Sequence, residues 1–294
     1  MFRGVGTAIV TPFKNGEIDF EAYEKLVNYQ LEGGINALIV LGTTGEAPTV
    51  SDTEREKLIL KTLELVNGRI PVIVGAGTNS TEKTLKLVKQ AEDLGANGVL
   101  VVTPYYNKPT QEGLYQHYKY ISERTDLKII VYNVPGRTGV NVLPETTARI
   151  AAELKNVVGI KEANGDIDQI DRTVSLAKSA RSDFMVWSGN DDRAFYLLCA
   201  GGDGVISVAS NVAPKQIVNL CSEFFNGNLE KSREIHRKFR PLMKALFVET
   251  NPIPVKAALY LMGFIENELR LPLVPASEKT MELLRGTLKE CGLL

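Results

Sequence analysis

The sequence predicts a (β/α)8 TIM barrel, because eight short apolar segments of strand length alternate with eight segments of helix length. Most of the short segments are apolar on both faces, as strands of a buried parallel sheet are. The alternation fills residues 1–226 of the 294, close to the size of one barrel. A doubly wound open sheet is the alternative, but no glycine-rich phosphate turn follows the first predicted strand.

The predicted strands share a length of five or six residues and an apolar composition. They are Val5–Val10, Ala37–Leu41, Pro71–Gly75, Gly98–Val102, Lys128–Tyr132, Val157–Lys161, Phe184–Ser188 and Gly204–Val208.

The predicted helices carry start and stop signals and an apolar face that can pack on the sheet. Ser51 with Glu54 forms a capping box before the second helix, and Gly33 ends the first. The helices are predicted at Glu21–Glu32, Asp52–Val66, Glu82–Leu94, Gln111–Arg124, Glu145–Leu154, Asp168–Ser179, Arg193–Ala200 and Lys215–Phe225.

Residues 227–294 are predicted to form a C-terminal extension of three helices after the catalytic barrel of residues 1–226. Two proline-containing stretches, 251–254 and 271–275, divide the extension.

The composition limits the classes of partner. A net charge of −1 without basic clusters argues against nucleic acid and anionic membrane surfaces. No segment has the length of a membrane span, and Pro12 interrupts the early apolar run, so neither a membrane anchor nor a signal peptide is expected. Widely spaced Cys199, Cys221 and Cys291 and only two histidines disfavour disulfides and zinc, and predict a reducing cytoplasm.

Lys161 ends the sixth predicted strand and is followed by the turn-forming residues Asn164 and Gly165. Barrel enzymes place their chemistry at the carboxyl ends of strands. A strand-end lysine more commonly just reaches out to water, so its interpretation depends on the other strand ends.

The other strand ends supply hydroxyl, backbone and guanidinium donors. They read G-T-T-G-E, T-P-Y-Y-N-K-P, Y-N-V-P-G-R-T-G, S-G-N-D and I-S-V-A-S-N. The absence of His and Cys here disfavours Ser–His and Cys–His acyl chemistry. Glu46, Glu162 and Asp191 do not form a convincing ligand set for magnesium.

Among the residues at these strand ends, a buried lysine is the natural nucleophile. Burial disfavours the charged ammonium, and a neutral amine can attack a ketone to form a Schiff base. The Tyr132 phenol suits the proton transfer that follows. Thr43 and Thr44 can bind a small carboxylate, and Arg137 can bind a second one with its bidentate fork.

Each of these residues also has a structural explanation. On that explanation the 42–45 segment would be only a tight turn, and Asn133 would only shape a turn. Tyr105 and Tyr106 would be packing aromatics, and Arg137 would be a solvated charge. Their coincidence at successive strand ends favours one site.

Seven motifs, in order along the whole chain, resemble the dihydrodipicolinate synthase (4-hydroxy-tetrahydrodipicolinate synthase) family of class I aldolases. They are G-T-T-G-E, V-T-P-Y-Y-N, L-Y-Q-H-Y, Y-N-V-P-G-R-T-G, G-I-K-E-A, G-V-I-S-V and F-V-E-T-N-P-I-P-V-K-A. The wider superfamily of N-acetylneuraminate lyase and sugar-acid aldolases shares only part of this set. The arginine of Y-N-V-P-G-R-T-G is the mark of the synthases.

The resemblance implies a lyase in which Lys161 forms an imine with pyruvate, so that no metal or other cofactor is needed. It implies that Tyr132, Thr43 and Tyr106 relay protons. Tyr106 would reach in from a neighbouring subunit, and the family is usually a homotetramer built as a dimer of dimers.

The resemblance also implies the binding residues. Thr44 would hold the carboxylate of pyruvate, and Arg137 that of L-aspartate 4-semialdehyde. Gly189 and Ile206 match backbone positions around the lysine and the pocket. The product would be 4-hydroxy-tetrahydrodipicolinate, a precursor of diaminopimelate and lysine.

The sequence departs from the family at the site where some members bind lysine as an inhibitor. Asn79 and Tyr105 match that site, but Asp52 and Arg55 replace the usual histidines and Lys83 replaces an acidic residue. A cation facing an ammonium ligand costs binding energy, so weak or absent inhibition by lysine is expected.

Three other functions stay open from the residues alone. A sibling aldolase acting on sugar acids would have no use for Arg137. A sensor that binds a keto acid without turnover is disfavoured by the intact set of Lys161, Tyr132, Thr43 and Tyr106. A metal-dependent barrel hydrolase lacks ligands.

Overall fold

The structure, a computed structural model, describes residues 1–294 and contains ten strands. They are β1 Gly4–Ala8, β2 Phe13–Lys14, β3 Glu17–Ile18, β4 Ala37–Val40, β5 Val72–Gly75, β6 Gly98–Val102, β7 Lys128–Asn133, β8 Val157–Glu162, β9 Met185–Ser188 and β10 Gly204–Ser207. Eight of them form a closed barrel in the order β1-β10-β9-β8-β7-β6-β5-β4, and β2 pairs with β3.

Twelve helices accompany the strands. They are α1 Phe20–Glu32, α2 Asp52–Val66, α3 Thr81–Asp93, α4 Gln111–Ser122, α5 Pro135–Thr138, α6 Pro144–Glu153, α7 Ile167–Ala180, α8 Ala194–Cys199, α9 Pro214–Phe225, α10 Leu229–Ala245, α11 Ile253–Leu261 and α12 Glu278–Glu290. No helix has the combination of length and hydropathy that crossing a membrane requires.

The predicted (β/α)8 barrel with three C-terminal helices is confirmed. The capping box of Ser51 and Glu54 is present at the start of α2. The sequence did not predict the β2–β3 hairpin or the single turn of α5, because two-residue strands and one-turn helices leave no periodic pattern. Helix α3 is capped by the Ser80 side chain and begins at Thr81, one residue before the predicted start at Glu82.

The chain divides into two compact units, and the proposed boundary at residue 226 stays a prediction. The first unit comprises Met1–Arg3 and Pro71–Ile206, and the second Gly4–Ile70 and Ser207–Leu294.

In the first unit, strands β5 to β9 pair in parallel, each with the next. Gly159 permits the close approach of β8 and β9, since a Cβ there would lie 2.3 Å from the Met185 carbonyl oxygen. The Trp187 ring fills the space and stacks on Phe2, with the ring centroids 4.9 Å apart. This packing fixes β8, the strand that carries Lys161.

In the second unit, β1 pairs with β4 and packs on α9. The Asn211 side chain holds the end of β1, since its Nδ2 donates to the Ala8 carbonyl at 2.8 Å and its Oδ1 accepts from Val10 N at 3.1 Å. Tyr23 joins α1 to α2 through a hydrogen bond of 2.7 Å between its hydroxyl and that of Thr62. The Asn211 bonds order β1, which pairs with β4, the strand that leads to the 42–46 turn.

Candidate active site

Lys161 and Tyr132 form the centre of the candidate site. Tyr132 in β7 pairs with Lys161 in β8, and matching positions on neighbouring strands project their side chains to the same face. The Lys161 Nζ lies 4.2 Å from the centroid of the Tyr132 ring. Both side chains are buried, with exposures of 5% and 7%. The structure therefore brings the predicted nucleophile and proton carrier together.

Gly189 provides the space that the Lys161 side chain occupies. A Cβ at position 189 would lie 2.6 Å from the Ala163 Cβ and 3.1 Å from the Lys161 Cε, so any larger residue would displace Ala163 and crowd the lysine. The Gly189 N–H also donates to the Glu162 carbonyl at 2.7 Å. Ile206 lies on β10, which pairs with β9, and is fully buried.

Arg137 and Tyr106 lie on segments that meet through their backbones. Arg137 is an exposed residue of α5. The Tyr106 N–H donates to the carbonyl of Thr138, the residue after Arg137, at 3.4 Å. Tyr106 has a φ of 74°, which is costly for a non-glycine residue. Its side chain is 88% exposed, so its ring is not packed within one chain.

Thr43 and Thr44 lie in a single 3₁₀ turn directly after β4. Leu41 and Glu46 on either side of the turn have left-handed φ values of 58° and 52°, and such backbone persists only where its surroundings hold it. Thr44 is buried, and its hydroxyl accepts a hydrogen bond of 3.0 Å from the Asn251 Nδ2.

A buried ion pair holds the far end of this turn. The Lys256 Nζ lies 2.7 Å from Glu46 Oε1 and donates to the Thr11 carbonyl at 2.9 Å. The other Glu46 oxygen accepts from the Arg270 backbone N–H at 3.2 Å. Both side chains of the pair are almost completely buried, and burial lowers the pKa of Lys256 while Glu46 opposes that shift. The pair thus fixes the turn that carries Thr43.

The residues that support the site were the ones that sequence reasoning missed. The sequence favours a turn at Asn133 and gives no magnesium ligand set that includes Glu162, yet both are fully buried and hydrogen-bonded to each other. The sequence pattern predicts no role for Asn251 or Lys256. The signal for Lys256 was available, because it is the one charged residue in the apolar helix α11.

The chemistry of the arrangement follows from its groups. No group of three or more His, Cys, Asp and Glu side chains is placed to hold a metal ion. A buried amine beside a phenol is suited to attack a carbonyl and to move a proton. Fold and site together define a (β/α)8-barrel enzyme with a buried lysine at a strand end.

The chain matches known proteins over its length. The model of the dihydrodipicolinate synthetase family matches residues 1–291, and the chain belongs to this family. The 4-hydroxy-tetrahydrodipicolinate synthase of Thermotoga neapolitana, a lyase, is 86% identical, with both sequences covered completely.

Two solved structures show the same agreement in three dimensions. The crystal structure of dihydrodipicolinate synthase from Thermotoga maritima superposes with a TM-score of 1.00 at 87% identity, with 100% of both chains covered. The Acinetobacter baumannii synthase, crystallised in complex with pyruvate, has a TM-score of 0.96 at 45% identity, again over 100% of both chains. The predicted family and enzyme class are confirmed.

Lys256→Met should lower the free energy of unfolding by about 3–5 kcal/mol, because it leaves the buried Glu46 carboxylate without its cation. The double variant Glu46→Gln/Lys256→Met should lose less than Lys256→Met alone, since no charge is then stranded. Chemical denaturation of the three proteins measures both differences.

Lys25→Met is the matched control, because it breaks the Lys25–Glu21 pair, whose side chains are 62% and 82% exposed. Its stability should equal that of the wild type. Equal losses in Lys25→Met and Lys256→Met would contradict the proposed role of the buried pair.

Proposed function

We propose that the enzyme condenses pyruvate with L-aspartate 4-semialdehyde through a Schiff base on Lys161, giving 4-hydroxy-tetrahydrodipicolinate for diaminopimelate and lysine synthesis. The observation that carries the proposal is the buried Lys161 amine over the Tyr132 ring at the carboxyl ends of two paired strands. The other buried lysine, Lys256, is paired with Glu46. The full-length relatives with the same reaction in their names support the substrates.

The chemistry begins with attack of the Lys161 amine on the pyruvate ketone, which releases water and leaves an imine. The protonated imine withdraws electrons, so that the pyruvate methyl group loses a proton and becomes a carbon nucleophile. Tyr132, beside the amine, is placed to carry that proton. The carbon attacks the aldehyde of the semialdehyde, and the amino group of this substrate displaces Lys161 as the ring closes. No metal or other cofactor is required.

The carboxylates of the two substrates need separate partners. We assign the pyruvate carboxylate to Thr44 and the semialdehyde carboxylate to Arg137. The Thr44 hydroxyl accepts from Asn251, so its own proton is directed away from that amide and is available to a ligand. Arg137 is exposed on α5, where its fork can reach an incoming carboxylate. Thr43 joins Tyr132 in the proton relay.

Arg137→Ala should raise the KM for the semialdehyde at least about tenfold and leave the KM for pyruvate close to that of the wild type, because only one substrate loses a bidentate partner. Initial rates with each substrate varied in turn measure the difference. Arg172→Ala, which removes another exposed arginine, is the matched control.

An equal loss for both substrates would give Arg137 a structural role. Cleavage of sugar acids by the wild type, without turnover of the semialdehyde, would replace the proposal with a sibling aldolase.

We further propose that Tyr106 completes the relay of a partner subunit in a dimer, and that two dimers form a tetramer. The support is its exposed ring, its constrained backbone and the half-exposed Tyr105 beside it. Exposed aromatic clusters of this kind mark protein interfaces. The free thiols of Cys199, Cys221 and Cys291 fit the expected cytoplasmic location.

Mixing Lys161→Ala with Tyr106→Phe subunits, after dissociation and reassembly, should restore about one quarter of wild-type activity. Half of the dimers are then mixed, and each has one site with both groups intact. Tyr106→Phe alone should be about ten to a hundred times slower than the wild type. Activity in the mixture no higher than the mean of the two variants would place Tyr106 in its own chain's site.

We also propose that lysine inhibits this enzyme weakly or not at all. The Arg55 guanidinium is buried, which lowers its pKa to about 10, and Lys83 is exposed on α3. Basic residues at these two positions disfavour an ammonium ligand. Steady-state rates should be unchanged by sub-millimolar lysine, and strong inhibition at that concentration would refute the proposal.

A further inference from the structure

Glu162 is a buried carboxyl group that the proposed reaction does not use. It follows Lys161 at the end of β8 and is completely buried. Its oxygens accept from the Asn164 backbone N–H at 2.7 Å, from Asn133 Nδ2 at 2.9 and 3.1 Å, and from Gln169 Nε2 at 3.4 Å. All these partners are neutral, and burial raises the pKa of Glu162 to about 7. Burying such a group is costly without a cation.

Glu162 lies next to Lys161 in β8, opposite the residue that follows Tyr132 in β7. Tyr132 pairs with Lys161, and the next residues, Asn133 and Glu162, pair with each other. Successive side chains of a strand point to opposite faces. Tyr132 and Lys161 therefore share one face of the paired strands, and Asn133 and Glu162 share the other. A bond between the outer pair fixes the register of the inner pair.

The same network reaches the segment that follows Arg137. Asn133 Oδ1 accepts from the Val142 N–H at 3.0 Å, and Asn133 Nδ2 donates to Asn141 Oδ1 at 2.8 Å. Asn141 Nδ2 donates in turn to Gln169 Oε1 at 2.7 Å. These bonds fix the orientation of the Asn133 amide, so its Nδ2 lies between Asn141 Oδ1 and the Glu162 carboxylate. They also anchor the chain between α5 and α6.

We propose that Glu162 is a positioning residue, whose carboxylate binds Asn133 and thereby sets Lys161 against Tyr132 and anchors the segment behind Arg137. The inference rests on the proposed function of these three residues. An amide at position 162 would turn an N–H towards the N–H groups of Asn133, Asn164 or Gln169, and the outer pair would separate.

Glu162→Gln should lower kcat and the rate of imine formation with pyruvate at least about tenfold, because small displacements of reacting groups slow the reaction strongly. The assays are run at about pH 8, above the pKa of about 7, where the wild-type group is ionised. The double variant Glu162→Gln/Asn133→Asp should recover part of the loss. In it the new amide at position 162 donates to the new carboxylate at position 133, whose other oxygen still accepts from the Val142 N–H, whereas the bond to Asn141 Oδ1 is lost.

Recovery in the double variant is the result that a general loss of stability would not give. Tyr23→Phe is the matched control, since it removes another buried hydrogen bond, to Thr62, and should keep wild-type kcat. Wild-type kcat in Glu162→Gln, or no recovery in the double variant, would overturn the inference. A wild-type enzyme that forms no imine with pyruvate would instead refute the proposed function.

If Glu162→Gln does not fold, as judged by circular dichroism, Gln169→Leu tests the same network from a half-buried position on α7. It should raise the KM for the semialdehyde about threefold or more by loosening the Asn141 segment, while imine formation with pyruvate is kept. An unchanged KM would overturn the inference.

Discussion

The alignment of β7 with β8 is the constraint on which the site depends. Parallel pairing sets Tyr132 opposite Lys161 and Asn133 opposite Glu162. Because strand side chains alternate between faces, one register decides both the proposed catalytic pair and the pair that supports it. A slip by one residue would exchange the two faces, so the buried hydrogen bonds of Glu162 protect the proposed chemistry as well as the fold.

Two buried acids serve the molecule in different ways. Glu46 is paired with Lys256 and holds a strained turn, whereas Glu162 has only neutral N–H partners. The pKa of Glu162 is raised from 4.5 to about 7, so its contribution to stability is fully present below about pH 4.5 and is lost as the pH rises through about 7. Near neutral pH the enzyme thus gives up stability at a residue that orders its proposed nucleophile, a trade-off common at functional sites.

The fold could be predicted from the sequence because its signals are local. Apolar strands, capping residues and glycine stops lie within a few residues of the elements that they define, and Lys161 is visible as a charge at the end of such a strand. The supporting contacts could not be predicted, since they join distant residues: Lys256 and Glu46 are 210 positions apart. Asparagine is common in turns, but Asn133 is buried at the end of β7, and its role follows only from its hydrogen bond to Glu162.

The central claim is that Lys161 carries the imine, and reductive trapping tests it most directly. The enzyme is incubated with pyruvate, reduced with borohydride, digested, and its peptides are mapped by tandem mass spectrometry. The account predicts one pyruvate-derived adduct per chain, on the peptide that contains Lys161, and none in Lys161→Ala. An adduct on another lysine, or an adduct that persists in Lys161→Ala, would contradict it.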